Sequence, residues 1–155
     1  MMTIGLMLAV QAAVPAAEAS NRKTIMPADP RAREFLDRYG FSEAVINGDH
    51  VYLSGVVAGT PHDGDPKAAY DRAFRMIADV LKRSGSSWDS VIDMTTFHTD
   101  LPAQIEGFTQ VKNRYVRAPF PAWTAIDVDR LLPDNGLVEI KVVARRSPEA
   151  GAAGE

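Results

Sequence analysis

The sequence predicts one α+β domain in which a β-sheet carries two amphipathic helices on one face. Three observations predict it. From Val138 to Arg145 the chain alternates Val138, Ile140, Val142 and Ala144 with Glu139, Lys141, Val143 and Arg145, the period of two of a strand with one dry face. Asn47-Gly48 stands between two apolar runs, the strongest short-range hairpin signal. Ala69, Ala73, Met76, Ile77, Val80 and Leu81 recur at three- and four-residue spacing, one face of a helix.

The elements follow in order. Asp29-Pro30 offers an N-cap and a proline at the first helical position, and "RAREFLDRY" stops at Gly40, giving a short leading helix. "EAVINGDHVYLSGVV" supplies the hairpin, and "AGTPHDGD" a loop rich in Gly, Pro and Asp. Asp65-Pro66 opens the first long helix, where Asp71 and Arg75 can pair on the outer side, and Gly85 ends it. "DSVIDMTTFHT" is a strand rich in β-branched residues. Asp100, Leu101 and Pro102 lead into a second amphipathic helix through Ile105, Phe108, Val111 and Tyr115. Two strands, around Ala122–Val128 and Val138–Arg145, complete the chain, so the order after the leading helix is ββαβαββ.

Length and composition bound the function. The 155 residues, 46% hydrophobic and 24% charged, make one globular domain. A net charge of -3 shows no basic field, so nucleic acid is not the favoured partner. Absence of cysteine excludes thiolate catalysis and disulfides, and His50, His62 and His98 lack metal-ligand spacing, so neither metal nor cofactor is expected. Residues 4–14, "IGLMLAVQAAV", precede "PAAEAS", in which Ala17 and Ala19 form an AxA cleavage site. Residues 1–19 are therefore expected to be a signal peptide, residues 20–146 the domain and residues 147–155 a disordered tail, with a periplasmic or secreted product. No Lys or Arg precedes the apolar run, and a miscalled start would leave the product cytoplasmic. The run is too short to span a membrane comfortably, and no membrane partner is expected.

One residue resists this scheme. In the penultimate strand Ala122, Thr124, Ile126 and Val128 form the more apolar set, which places Trp123, Ala125 and Asp127 on the side away from the helices, with Glu139 and Lys141. A large indole there needs cover from a ligand, a loop or a second subunit.

From Tyr39 onward the chain resembles the Rid family, the reactive intermediate deaminases also called YjgF-like proteins. The resemblance lies in "VINGDHVYLSG", "AYDRAFRMIADVLKRSGSSWDSVIDMTTFHTDL" and, most specifically, "FPAWTAIDVDRLLPDNGLVEIKVVARR". It implies a chorismate-mutase-like fold, a homotrimeric barrel with sheets inside and helices outside, and ligand pockets between subunits. It also implies cofactor-free hydrolysis of imines and enamines of 2-keto acids, with release of ammonia. By the same resemblance Glu139 matches the glutamate that handles the attacking water, Ser54 the serine before glycine, and Ala125 a position whose backbone lines the pocket. Phe41 replaces a pocket tyrosine, and Trp123 replaces the arginine that clamps the substrate carboxylate.

That replacement exchanges two charge-assisted hydrogen bonds for a flat apolar platform with one N–H donor and an affinity for cations. Three readings follow. The chain is an imine or enamine hydrolase whose substrate is shifted away from simple 2-imino acids; or a non-catalytic trimer binding a small aromatic or amine-bearing molecule; or Trp123 merely packs the interface. Glu139 has an equally plain alternative as an ion-pair partner of Lys141 or Arg145, and Ser54 as a hydroxyl bonded to backbone.

Overall fold

The computed structural model describes residues 22–59 and 64–146. They form strands β1 (Arg22–Ile25), β2 (Ala44–Asn47), β3 (His50–Leu53), β4 (Val56–Gly59), β5 (Val91–His98), β6 (Ala122–Asp127) and β7 (Gly136–Arg145), and helices α1 (Pro30–Tyr39), α2 (Pro66–Arg83) and α3 (Leu101–Tyr115). All seven strands make one mixed sheet, β1-β2-β3-β7-β5-β6, with β4 also paired to β7. The proposed signal peptide, His62 and the tail lie outside the described residues.

Local chemistry sets the helix boundaries. Asp29, Asp65 and Asp100 each accept a backbone N–H from the first turn of α1, α2 and α3, at Ala32, Lys67 and Ala103. Gly40 closes α1 at φ 72°, a left-handed conformation that favours glycine. Gly48, at φ 61°, turns β2 into β3.

Topology puts the two long helices on one side. β4 and β5 flank β7 and are both antiparallel to it, so they are parallel to each other, and α2 joins them. β5 and β6 are parallel and joined by α3. Both crossovers step the same way across the sheet, and a common right-handed sense lays both helices on the same face. Beneath them Phe74, Ile77, Leu81, Met94, Phe108, Val138, Ile140 and Val142 are fully buried. Tyr70 joins this core, whereas Met76, expected inside, is 58% exposed at the margin of α2.

Three features depart from the sequence reading. β1 precedes α1, a strand not expected, and pairs with β2 at the sheet edge. The run from His50 to Gly59 is two strands: β3 pairs Tyr52 with Val143, but β4 pairs Val56 with Ile140, one residue out of step. Ser54 and Gly55 absorb the extra residue as a bulge, which reverses the side-chain alternation. Val51 and Leu53 are buried on the helix side, and so is Ala58, while Val57 faces the other side opposite Glu139.

The third departure concerns Trp123. β6 pairs with β5 in the register Met94↔Trp123 and Thr96↔Ala125, and Met94 and Thr96 are fully buried on the helix side. Trp123, Ala125 and Asp127 therefore face α3, and Ala122, Thr124 and Ile126 face the open side. The expected orientation was inverted. β6 is a sheet edge joined to β5, so that ladder decides which way it faces. Its own polarity could not, because the open face is itself partly apolar, with Val57, Phe97 and Val143 half-buried and Tyr52 44% exposed.

Candidate functional site

Glu139 lies on the open face of β7, between Val57 of β4 and Phe97 of β5. Its carboxylate rests against Gly55, where an added Cβ would fall inside it. The bulge thus delivers a side-chain-free backbone to the acid. Among the described residues Glu139 forms no ion pair: Arg145, one expected partner, is taken by Asp49 at 2.7 Å, and Lys141 pairs with neither. Ser54, next to Gly55, donates its hydroxyl to the Ser42 carbonyl at 2.7 Å, the backbone bond anticipated for it. Phe41 is 40% exposed and meets Phe35 edge-on at 6.3 Å. Phe41, Ser54, Gly55 and Val57 share an apolar cavity of ≈ 760 Å³ with α1 and α2, and Met76 and Val80 form its far wall.

Trp123 and Ala125 are elsewhere. Glu139 is level with Ile126 across β5, three residues along from Trp123, and the two side chains occupy opposite faces. Within one chain, then, the structure joins Phe41, Ser54 and Glu139 and separates them from Trp123 and Ala125. Trp123 lines a second cavity, ≈ 370 Å³, with Met94, Thr109, Lys112, Val116 and Phe120. Ala125 is half-buried two residues further along β6 and does not line this cavity.

The indole is held from below. Trp123 Nε1 donates to Thr96 Oγ1 at 3.0 Å, and Thr96 Oγ1 lies 3.0 Å from His98 Nε2. His98 Nδ1 is 3.2 Å from Gln104 Oε1, while Gln104 Nε2 donates to Thr99, whose hydroxyl reaches the Leu137 carbonyl. One proton assignment satisfies every member: neutral His98 carries its hydrogen on Nδ1 and accepts from Thr96. Burial lowers the His98 pKa, against the weaker raising effects of Gln104 and Asp127, so the neutral form is favoured. From above, the Lys112 ammonium stands 4.6 Å from the Trp123 ring centroid.

Sequence reasoning missed Gly55, Thr96, His98 and Lys112 as parts of these sites. Lys112 had a legible signal, since it follows Phe108 by one helical turn and Val111 by one residue and so breaks the apolar stripe of α3. The Thr96–His98 pairing follows from strand alternation but not its link to Trp123, which needs the facing of β6. Among the described residues no cluster of three His, Cys, Asp or Glu side chains could hold a metal, and no helix is long and apolar enough to cross a membrane.

A small mixed-sheet domain with two incomplete cavities at its margins defines a class that comparison makes specific. The chain belongs to the family whose model is described as Endoribonuclease L-PSP, matched over residues 33–146. It is 36% identical over 129 residues to the RutC family protein YjgH of Escherichia coli, covering 80% of this chain and 95% of that protein. It is 28% identical to the chloroplastic Reactive Intermediate Deaminase A of Arabidopsis thaliana, over 67% of this chain and 57% of that one. The solved structure of YjgH superposes with a TM-score of 0.70 at 33% identity over 83% of this chain and 99% of that one. Rv2704 of Mycobacterium tuberculosis, of the YjgF/YER057c/UK114 family, matches in fold with a TM-score of 0.70 at 24% identity, over 80% and 98% of the two chains. The sheet with helices on one face expected from the sequence is thus the fold of the family.

Proposed function

We propose that the protein is a Rid-type imine or enamine deaminase, hydrolysing its substrate with release of ammonia in pockets between the subunits of a homotrimer. The observation that carries this reading is Glu139, a carboxylate with no ion-pair partner among the described residues, seated on Gly55, which lines an apolar cavity. An acid so placed is available to take a proton from water as it attacks the imine carbon, and to return it to the departing nitrogen. Half-sites on opposite faces support the interfacial part: Phe41, Ser54 and Glu139 would come from one subunit, Trp123 and Ala125 from the next. With Trp123 in place of an arginine fork, the substrate is shifted away from simple 2-imino acids towards bulkier ones. Neither metal nor cofactor is required by this chemistry. Export after cleavage behind Ala19 belongs to the same proposal, and the N-terminal residue of protein recovered from its native host checks it.

The second reading is a small-molecule-binding trimer without turnover. It is favoured by the closed packing of Trp123 against Thr96 and Phe108, which builds an apolar pocket remote from Glu139 in the same chain. Ammonia release decides between the two. Imines made in situ from alanine and phenylalanine by an amino-acid oxidase are offered to wild type and Glu139→Ala. Acceleration lost in Glu139→Ala supports the deaminase; binding without acceleration supports the alternative.

A further inference from the structure

We propose that Lys112 makes the cavity beside Trp123 a site for anions with a flat apolar body, arylalkyl carboxylates being the ligand class, and that it turns away protonated amines.

The argument starts from a charge in an unusual place. Lys112 is 7% exposed, and its ammonium lies 4.6 Å from the centroid of the Trp123 ring and 6.0 Å from that of Phe120. Among the described residues its hydrogen-bond partner is the neutral Asn113 side chain, at 2.8 Å, so two of its three N–H donors remain for another acceptor. No acid among the described residues lines the cavity. The Asp71 carboxylate, also beside α3, is occupied by Arg75, Arg114 and Tyr115. A buried ammonium without a counter-ion is costly, and the two rings offset only part of that cost. Burial holds its pKa below the ordinary lysine value, as such a site should. An entering carboxylate would supply the missing charge and accept the two free N–H groups.

The walls define the rest of the ligand. Met94, Val116, Phe120, Pro121 and Trp123 are apolar, and ≈ 370 Å³ accommodates a single aromatic ring with a short side chain. Trp123 taken alone would attract a cationic ligand to its face. In the folded chain that face already holds a cation, so a protonated amine meets repulsion and the selectivity is reversed.

This inference rests on the cavity beside Trp123 being a ligand site, not on hydrolysis at Glu139. The test is calorimetric titration of the full-length protein with phenylacetate, phenylacetamide and benzylamine, in wild type, Lys112→Met and Lys112→Gln. Wild type is expected to bind phenylacetate about 10- to 100-fold more tightly than the isosteric amide, and benzylamine weakest. Both lysine variants should lose the preference for acid over amide. In a Trp88→Phe background, phenylacetate should also alter the emission of the remaining tryptophan. Three results would overturn the proposal: equal or tighter binding of the amide or amine, no binding of any of the three, or an acid preference that survives removal of the lysine. If Lys112→Met melts without cooperativity, Lys112→Gln carries the comparison. Ammonia release is not measured, so this proposal and the deaminase reading can fail separately.

Discussion

Gly55 is set by its neighbour rather than by its own backbone: a methyl there would occupy the space of the Glu139 carboxylate. Gly55→Ala should therefore move the acid, reducing ammonia release by about 10²-fold, of the order of a lost general base. Adding it to Glu139→Ala should cost nothing more, because both changes remove one interaction; a double mutant much slower than Glu139→Ala would mean that Gly55 acts otherwise. His98 makes a second prediction at this scale. It is fully buried and its pKa is lowered, chiefly by burial. The unfolded imidazole titrates near 6.5, so as pH falls through about 6.5 the unfolded chain binds a proton that the folded chain resists. Stability must then fall with pH, from about 6.5 down to the lowered folded value, where the folded chain also takes up the proton. Thermal midpoints measured from pH 8 to pH 5 should fall more steeply for wild type than for His98→Gln.

Among the elements, α3 carries the sharpest tension between stability and use. Phe108, Val111 and Lys112 are its buried residues, and the third is a cation. Lys112→Met keeps the length of the side chain, removes the charge, and should raise the unfolding free energy by about 1 kcal/mol or more, read by urea denaturation. Loss of stability instead would mean that the ammonium is satisfied in the folded chain. The same helix shows what could be read in advance. Its boundaries, and those of α1 and α2, were legible because Asp29, Asp65 and Asp100 each precede a proline within two residues and cap locally. The β2–β3 hairpin was legible from Asn47-Gly48 alone. β1 was not, since four residues with one buried side chain, Ile25, carry almost no pattern. Nor was the Ser54–Gly55 bulge, whose extra residue becomes visible only against β7. The facing of β6 failed for the same reason: it is a property of the ladder with β5. Glu139, Ser54 and Phe41 were named by resemblance alone, with nothing in local pattern to bring them together; Trp123 was singled out by its strand pattern but turned the wrong way.

At the scale of the molecule, the sheet has one dry face and one that the described residues leave partly exposed. Tyr52 and Ile126 are 44% and 40% exposed there, beside half-buried Val57, Phe97 and Val143. Such a face is the natural seat of subunit packing. Opposite placement of Glu139 and Trp123 adds a functional demand, because no side-chain motion carries either through the sheet. If a site draws Glu139 from one subunit and Trp123 from its neighbour, two inactive variants should rescue each other. Glu139→Ala and Trp123→Ala, unfolded together and refolded at equal concentration, would assemble at random. One neighbouring pair in four then presents an intact Glu139 to an intact Trp123, so ammonia release should return to about a quarter of the wild-type rate. The separately refolded variants, mixed afterwards, should stay inactive. Should the co-refolded mixture remain as inactive as its components, while light scattering shows trimers, both residues would not belong to one shared site. Turnover would then have to be sought within a single subunit, where Glu139 rests on Gly55 at the wall of the cavity that Gly55 lines.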